Sequence, residues 1–174
     1  GPAELTVLFE AETDRPTIVN LTNHSFFNLE GATSAADILD HRLTVAANHF
    51  LAIDPTAIPL PEPPRPVAGT PFDFRAAAPV GARIRESHEQ LRHGKGYDHT
   101  FCLARDGRLR PVARLEAPCS GRVLDLSTDQ PGLQVYSGNY LDGSILGKGG
   151  RLYRQSDAIC LEPHIWPDSP NRPD

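Results

Sequence analysis

The chain has no methionine, one tryptophan and three cysteines among its 174 residues. With no initiator, and with Leu5-Thr6-Val7-Leu8-Phe9 already reading as a strand that no leader precedes, the expectation is a fragment of a longer protein. Cys102, Cys119 and Cys160 are odd in number, widely spaced and form no Cys-x-x-Cys pair. A disulfide framework is therefore disfavoured, and free thiols in a reducing compartment are expected. That makes the cytoplasm the expected location, with the periplasm or secretion left open by the fragment reading. No uncharged apolar run approaches the roughly 20 residues that span a bilayer, so no membrane partner is expected. Positive charge is scarce too: 17 Lys and Arg stand against 22 Asp and Glu, a net charge of -5 without a basic stripe. Binding to a phosphate backbone is excluded on that ground. Long helices are excluded over much of the chain by 17 prolines.

What remains is a globular composition, 39% hydrophobic and 22% charged, in a length that suits one domain over residues 1–174. Short stretches alternate apolar and polar residues between turn formers, the pattern of half-buried antiparallel strands. Strands are predicted at 5–9, 17–21, 42–46, 100–103, 112–115, 122–128, 133–136, 151–153 and 158–161. Asp106-Gly107 between two of them predicts a β-hairpin, and Asp129-Gln130-Pro131-Gly132 a further turn. Pro55 to Pro71 holds seven prolines. It is read as an extended surface loop, anchored by Ile58, Leu60, Val67 and Phe72. One short helix is predicted around Val80 to Leu91. The fold class is all-β, an antiparallel β-sandwich.

Several residues can carry chemistry. His24 lies in Asn20-Leu21-Thr22-Asn23-His24-Ser25-Phe26-Phe27-Asn28-Leu29, a polar cluster enclosed by apolar side chains. Buried polar groups must be hydrogen-bonded, so the cluster is either a structural network or a site, and His is the residue able to give a proton near neutral pH. Glu162 follows Ala158-Ile159-Cys160-Leu161 and precedes Pro163-His164-Ile165-Trp166. A carboxylate there is either an ordinary strand-end group or a desolvated base. Asp98, in Gly96-Tyr97-Asp98-His99, is either a turn residue or an acceptor for sugar hydroxyls. His88, His93 and His99 fall close together, but at neither the i, i+4 helical spacing nor a familiar zinc spacing, so metal binding is not expected from them.

Asn20 to Leu29 resembles the signature of the aldose 1-epimerases, the galactose mutarotase family. So do Ile38-Leu39-Asp40-His41, Pro66 to Arg75, Gly96-Tyr97-Asp98-His99, Ser120 to Leu124, Pro131 to Asn139, and Cys160-Leu161-Glu162-Pro163 followed by Trp166 to Asn171. These seven motifs occur in family order across nearly the whole chain.

The resemblance implies a galactose mutarotase-like β-sandwich that interconverts the α and β anomers of a free aldohexose. It implies Glu162 as the general base at the anomeric hydroxyl and His24 as the general acid at the ring oxygen. Asp98 and Gln134 are implied as substrate-binding residues for sugar hydroxyls. No metal and no organic cofactor are implied. Two departures matter. Phe26 stands where the family usually has Tyr, and the motifs all belong to the C-terminal half of proteins roughly twice as long. The expected fold is thus an incomplete portion, lacking an Asn-Arg pair and a further His, and prone to self-association or to pairing with the missing half. The rival reading is a non-catalytic carbohydrate-binding β-sandwich of the same superfamily.

Overall fold

The computed structural model describes residues 3–171, so Gly1 and Pro2 and the last three residues of the expected 1–174 domain lie outside it. In chain order the strands are β1 (Phe26–Phe27), β2 (Arg42–Val45), β3 (His49–Phe50), β4 (Arg65–Pro66), β5 (Ala78–Pro79), β6 (Asp98–Cys102), β7 (Arg110–Glu116), β8 (Val123–Thr128), β9 (Gly132–Tyr136), β10 (Asp142–Leu146), β11 (Leu152–Arg154) and β12 (Ile159–His164). One α-helix, α1 (Glu89–Gly94), precedes β6. A six-stranded sheet has the order β1-β12-β9-β6-β3-β4, a four-stranded sheet the order β5-β2-β7-β8, and β10-β11 form a separate ribbon. All the pairings are antiparallel. The two larger sheets enclose one core: Leu43, Val45, Val112 and Leu115 meet Phe50, Phe101, Leu133, Val135, Ile159 and Leu161. Among the described residues no helix is long and apolar enough to cross a membrane.

Register sorts the six-stranded sheet into two faces. Directly opposed residues of an antiparallel pair point to the same side, and neighbours along a strand to opposite sides. Leu161 pairs with Val135 and Val135 with His99, a row that faces the core. The rows on either side face the other way: Phe26, Cys160, Tyr136 and Asp98 in one, Glu162, Gln134 and Thr100 in the next.

The structure departs from several sequence expectations. Residues 5–9 and 17–21 are not strands; Leu5 is 81% and Ile18 75% exposed. A strand exists only as a paired ladder, and no described strand takes these residues as partners. The Asp106-Gly107 turn does not close a hairpin between β6 and β7. β6 already has β3 on one edge and β9 on the other, so β7 crosses to the second sheet and pairs with β2 and β8. The guanidinium of Arg110 fastens this corner by donating to the carbonyls of Ala104 and Gln130. The helix begins later than predicted, because His88 is its N-cap and its ring accepts from the Gln90 amide. β12 runs on through Pro163 to His164, so Glu162 is a mid-strand residue rather than a strand-end one. The proline-rich stretch contributes only β4 and one bridge, Ile53 to Pro59, while Val67 and Phe72 are buried and Ile58 is exposed.

The loop that delivers Asp98 to β6 is held from within. Asn139 Nδ2 donates to the carbonyls of Gly94 and Tyr97, and the Ser137 hydroxyl accepts from the Tyr97 amide. Gly96 has φ +137°, and a Cβ there would stand 2.5 Å from Asn139 Oδ1. Gly96→Ala should therefore cost about 2 kcal/mol or more. Gly107→Ala meets no atom within 4 Å at φ +65° and should cost only about 1 kcal/mol. Urea unfolding of the two variants checks this ordering, and equal costs would contradict it.

Candidate active site

Three of the four residues singled out by sequence share the polar face through register alone: Asp98 on β6, Gln134 on β9 and Glu162 on β12. His24 arrives differently. It precedes β1 on an extended segment, and the pairing of Phe26 with Cys160, continued two residues back, sets it beside Glu162. Its Nε2 lies 3.4 Å from Glu162 Oε1. Asn20 fastens the far end of this segment, donating from Nδ2 to the Ile165 carbonyl at 2.8 Å and accepting from the Ile165 amide at 3.1 Å. The Phe26 ring stacks on the imidazole with centroids 5.0 Å apart.

The 20–29 cluster therefore divides by residue between the two roles left open by its sequence. Asn20 and Asn28 are structural; Asn28 Nδ2 donates to the carbonyls of Ala36 and Asp157. His24 is the polar member that reaches the carboxylate face.

The acid and base candidates differ in exposure. The His24 side chain is 51% accessible and that of Glu162 only 9%. Burial raises the Glu162 pKa above the usual carboxylate value; the charge of His24 opposes the rise and that of Asp98 adds to it. Asp98 is raised as well, chiefly by burial, against the hydrogen bond from Gln134 and the charge of His24.

A chain of hydrogen bonds orients the binding groups. Gln134 Nε2 donates to Asp98 Oδ1 at 2.7 Å, and its Oε1 accepts from the Thr100 hydroxyl at 2.7 Å. Because the Thr100 proton is committed to Gln134, His164 Nε2, 3.2 Å away, is the donor to Thr100. Burial lowers the His164 pKa to about 4, which keeps that ring neutral. Trp166 closes the row by lying against the backbone of Gly132, where a Cβ would stand 2.9 Å from the indole. Sequence reasoning did not assign roles to Thr100, Tyr136 and Cys160. The signal was present: each sits at even spacing from a named residue on the same strand.

A small cleft of about 50 Å³ opens between Leu51, Ile53, Pro59 and Pro167, with Asp98, Thr100 and Gln134 on its floor. A shallower hollow of about 510 Å³ lies by Asp73, Arg75 and Arg83. There Arg75 is occupied by a two-point pair with Asp73, whereas the small cleft is lined by the desolvated Asp98 with Thr100 and Gln134. His88, His93 and His99 do not gather as ligands. His99 is buried and neutral, its pKa lowered to about 3 by burial. It accepts from the Asp98 amide and bonds Gln90, His93 bonds the Ile53 carbonyl, and His88 caps the helix.

The chain is similar to known proteins. A family model described as aldose 1-epimerase matches residues 2–174. Galactose mutarotase of Rattus norvegicus is 44% identical over 170 residues, covering 98% of this chain and 48% of that protein. Aldose 1-epimerase of Haemophilus influenzae is 36% identical over 174 residues, covering all of this chain and 50% of that protein. The crystal structure of galactose 1-epimerase from Lactobacillus acidophilus superposes with a TM-score of 0.71 at 29% identity, over 85% of this chain and 40% of that one. The chain thus spans about half the length of the curated relatives it matches. A match across essentially every residue, with antiparallel sheets in common, means that the chain belongs to the aldose 1-epimerase family.

Proposed function

We propose that this chain is the C-terminal half of an aldose 1-epimerase and carries its acid and base. The observation behind this reading is the 3.4 Å approach of His24 Nε2 to Glu162 Oε1 on a face shared with Asp98 and Gln134. The reaction interconverts the anomers of a free hexose of the galactose or glucose type. Its two oxygens sit on one carbon, so acid and base must act a few ångströms apart, as these groups do. Glu162 takes the proton of the anomeric hydroxyl while His24 gives one to the ring oxygen. The bond from C1 to the ring oxygen breaks and the C1 carbonyl forms. Rotation about the C1–C2 bond turns the aldehyde, and reversal of the proton transfers closes the ring on its other face. Asp98 and Gln134 hold sugar hydroxyls, with Thr100 and His164 fixing the Gln134 amide. No group beyond side chains is called on.

The cleft of about 50 Å³ is well short of the roughly 300–1,000 Å³ of small-molecule sites. This supports a binding surface completed by sequence outside the chain. Free Cys102, Cys119 and Cys160 suit a reducing, cytoplasmic setting.

Polarimetry of α-galactose or α-glucose tests the assignment. In the full-length protein, Glu162→Gln should slow mutarotation by about 10²-fold or more, since Gln keeps the shape but accepts no proton. The 174 residues alone should give little acceleration. Near-full activity of Glu162→Gln overturns the base. Sugar binding without rate enhancement in the intact full-length protein favours the non-catalytic rival.

The pH profile gives a second test. Glu162 must be ionised to act, so kcat/KM falls as pH drops through its raised pKa, placing the acid limb above the usual glutamate range. Asp98→Asn removes a charge that raises that pKa, so the limb should move to lower pH while the plateau falls. An unmoved limb would contradict the electrostatic link between the two carboxylates.

A further inference from the structure

Cys160 is a buried thiol for which the proposed reaction has no task. It stands two residues from Glu162 on β12 and points to the same face. The imidazole of His24 completes a triangle: a ring nitrogen, the Cys160 sulfur and a Glu162 oxygen all lie within 4.8 Å of one another. Among the described residues this is the group of His, Cys, Asp and Glu side chains close enough to hold a metal ion.

We propose that His24, Cys160 and Glu162 form a binding site for a zinc-class divalent cation, and that occupation of this site blocks the sugar chemistry. The ligand types are those that zinc takes, one imidazole nitrogen, one thiolate and one carboxylate, with a fourth position open to water. Zinc bonds of about 2.0 to 2.3 Å in tetrahedral geometry set ligand atoms roughly 3.3 to 3.6 Å apart. His24 and Glu162, at 3.4 Å, already meet that spacing. The Cys160 sulfur lies within 4.8 Å of both other ligand atoms, so closing on an ion asks for a contraction of about 1 Å by side-chain rotation.

Charge favours the cation as well. Two carboxylates, Asp98 and Glu162, face the same side of the sheet, and His24 interacts electrostatically with both. A divalent ion supplies the missing positive charge. Binding replaces the Cys160 S–H bond by a sulfur–metal bond and displaces the acid proton from the ligating His24 nitrogen, both protons going to solvent, so apparent affinity rises with pH. No electron transfer is involved. The metal would occupy the Glu162 lone pair and the His24 nitrogen together, which makes inhibition competitive with sugar. The inhibitory consequence rests on the epimerase reading, whereas the binding site rests on geometry alone.

The test is a Co²⁺ titration of the full-length protein, followed by Zn²⁺ displacement and by polarimetry with added Zn²⁺. The site predicts a thiolate-to-cobalt charge-transfer band with tetrahedral visible absorption, both erased by Zn²⁺. Cys160→Ser and Cys160→Ala should each lose the charge-transfer band. They should raise the inhibitory Zn²⁺ concentration by at least the roughly 10-fold that loss of even an outer partner costs, with metal-free activity within about twofold of the parent. Two independent replacements guard against one that fails to fold. EDTA should leave activity unchanged or raise it. A charge-transfer band that persists without Cys160, no band in the parent, or equal Zn²⁺ inhibition in parent and variants overturns the site. A Cys160-dependent band in a protein inactive even after EDTA upholds the metal site and sinks the epimerase reading instead.

Discussion

Antiparallel register between β12 and its neighbours is the constraint on which the rest of this structure depends. Phe26 opposite Cys160, and Cys160 opposite Tyr136, fix the parity of every side chain on that sheet. A slip of one residue would turn Glu162, Gln134 and Asp98 into the core and expose Leu161, Val135 and Phe101. The apolar row therefore specifies the polar one: burying Leu133, Val135, Ile159 and Leu161 against the second sheet is what aims the carboxylates at the cleft. No separate device is needed to align the three sheet-borne residues; His24 is brought in by its own segment.

Placing two carboxylates in a desolvated cleft is unfavourable, and the fold offsets it with polar contacts on the far side of the sheet. His99, one residue from Asp98, accepts from the Asp98 amide and reaches Gln90, whose side chain makes two hydrogen bonds to the backbone of Ile53 at 2.7 and 2.9 Å. Ser137 and Asn139 do the same for the loop before Asp98. These buried residues resemble catalytic candidates in a bare sequence, being His, Gln, Ser and Asn amid apolar neighbours. Their partners are backbone groups and one another, and their work is to keep β6 in place.

Much of this was legible in the sequence, unevenly. Period-two alternation located the strands around 42–46, 112–115, 122–128 and 133–136 because each turns most of its apolar residues to the core and its polar ones to the other side. The same alternation misread 5–9 and 17–21, where pattern without a pairing partner leaves extended chain. It also could not tell a hairpin from a corner at Asp106-Gly107, since a turn sequence reverses the chain locally while free sheet edges decide which strand comes next. Glu162 and Asp98 were undecidable one at a time; what separates a rim carboxylate from a desolvated one is the company supplied by other strands. Family motifs resolved that by bringing the residues together as a set. Cys160 drew notice only as a free thiol, because its place on the site face depends on the parity of Glu162 along one strand.

The residues proposed as acid and base are mounted differently on the sheet. Glu162 is built into a strand with ladder neighbours, whereas His24 hangs on a span clamped at Asn20 by Ile165 and at Phe26 by Cys160, with the imidazole between the clamps. The first mount is held along its whole length, the second only at its two ends. An epimerising reaction presents its exocyclic oxygen axially in one anomer and equatorially in the other, so rigid placement of both groups would favour one direction of approach. On the proposed epimerase reading, a group held only at the ends of its span is the one that would adjust to either hand of the same carbon.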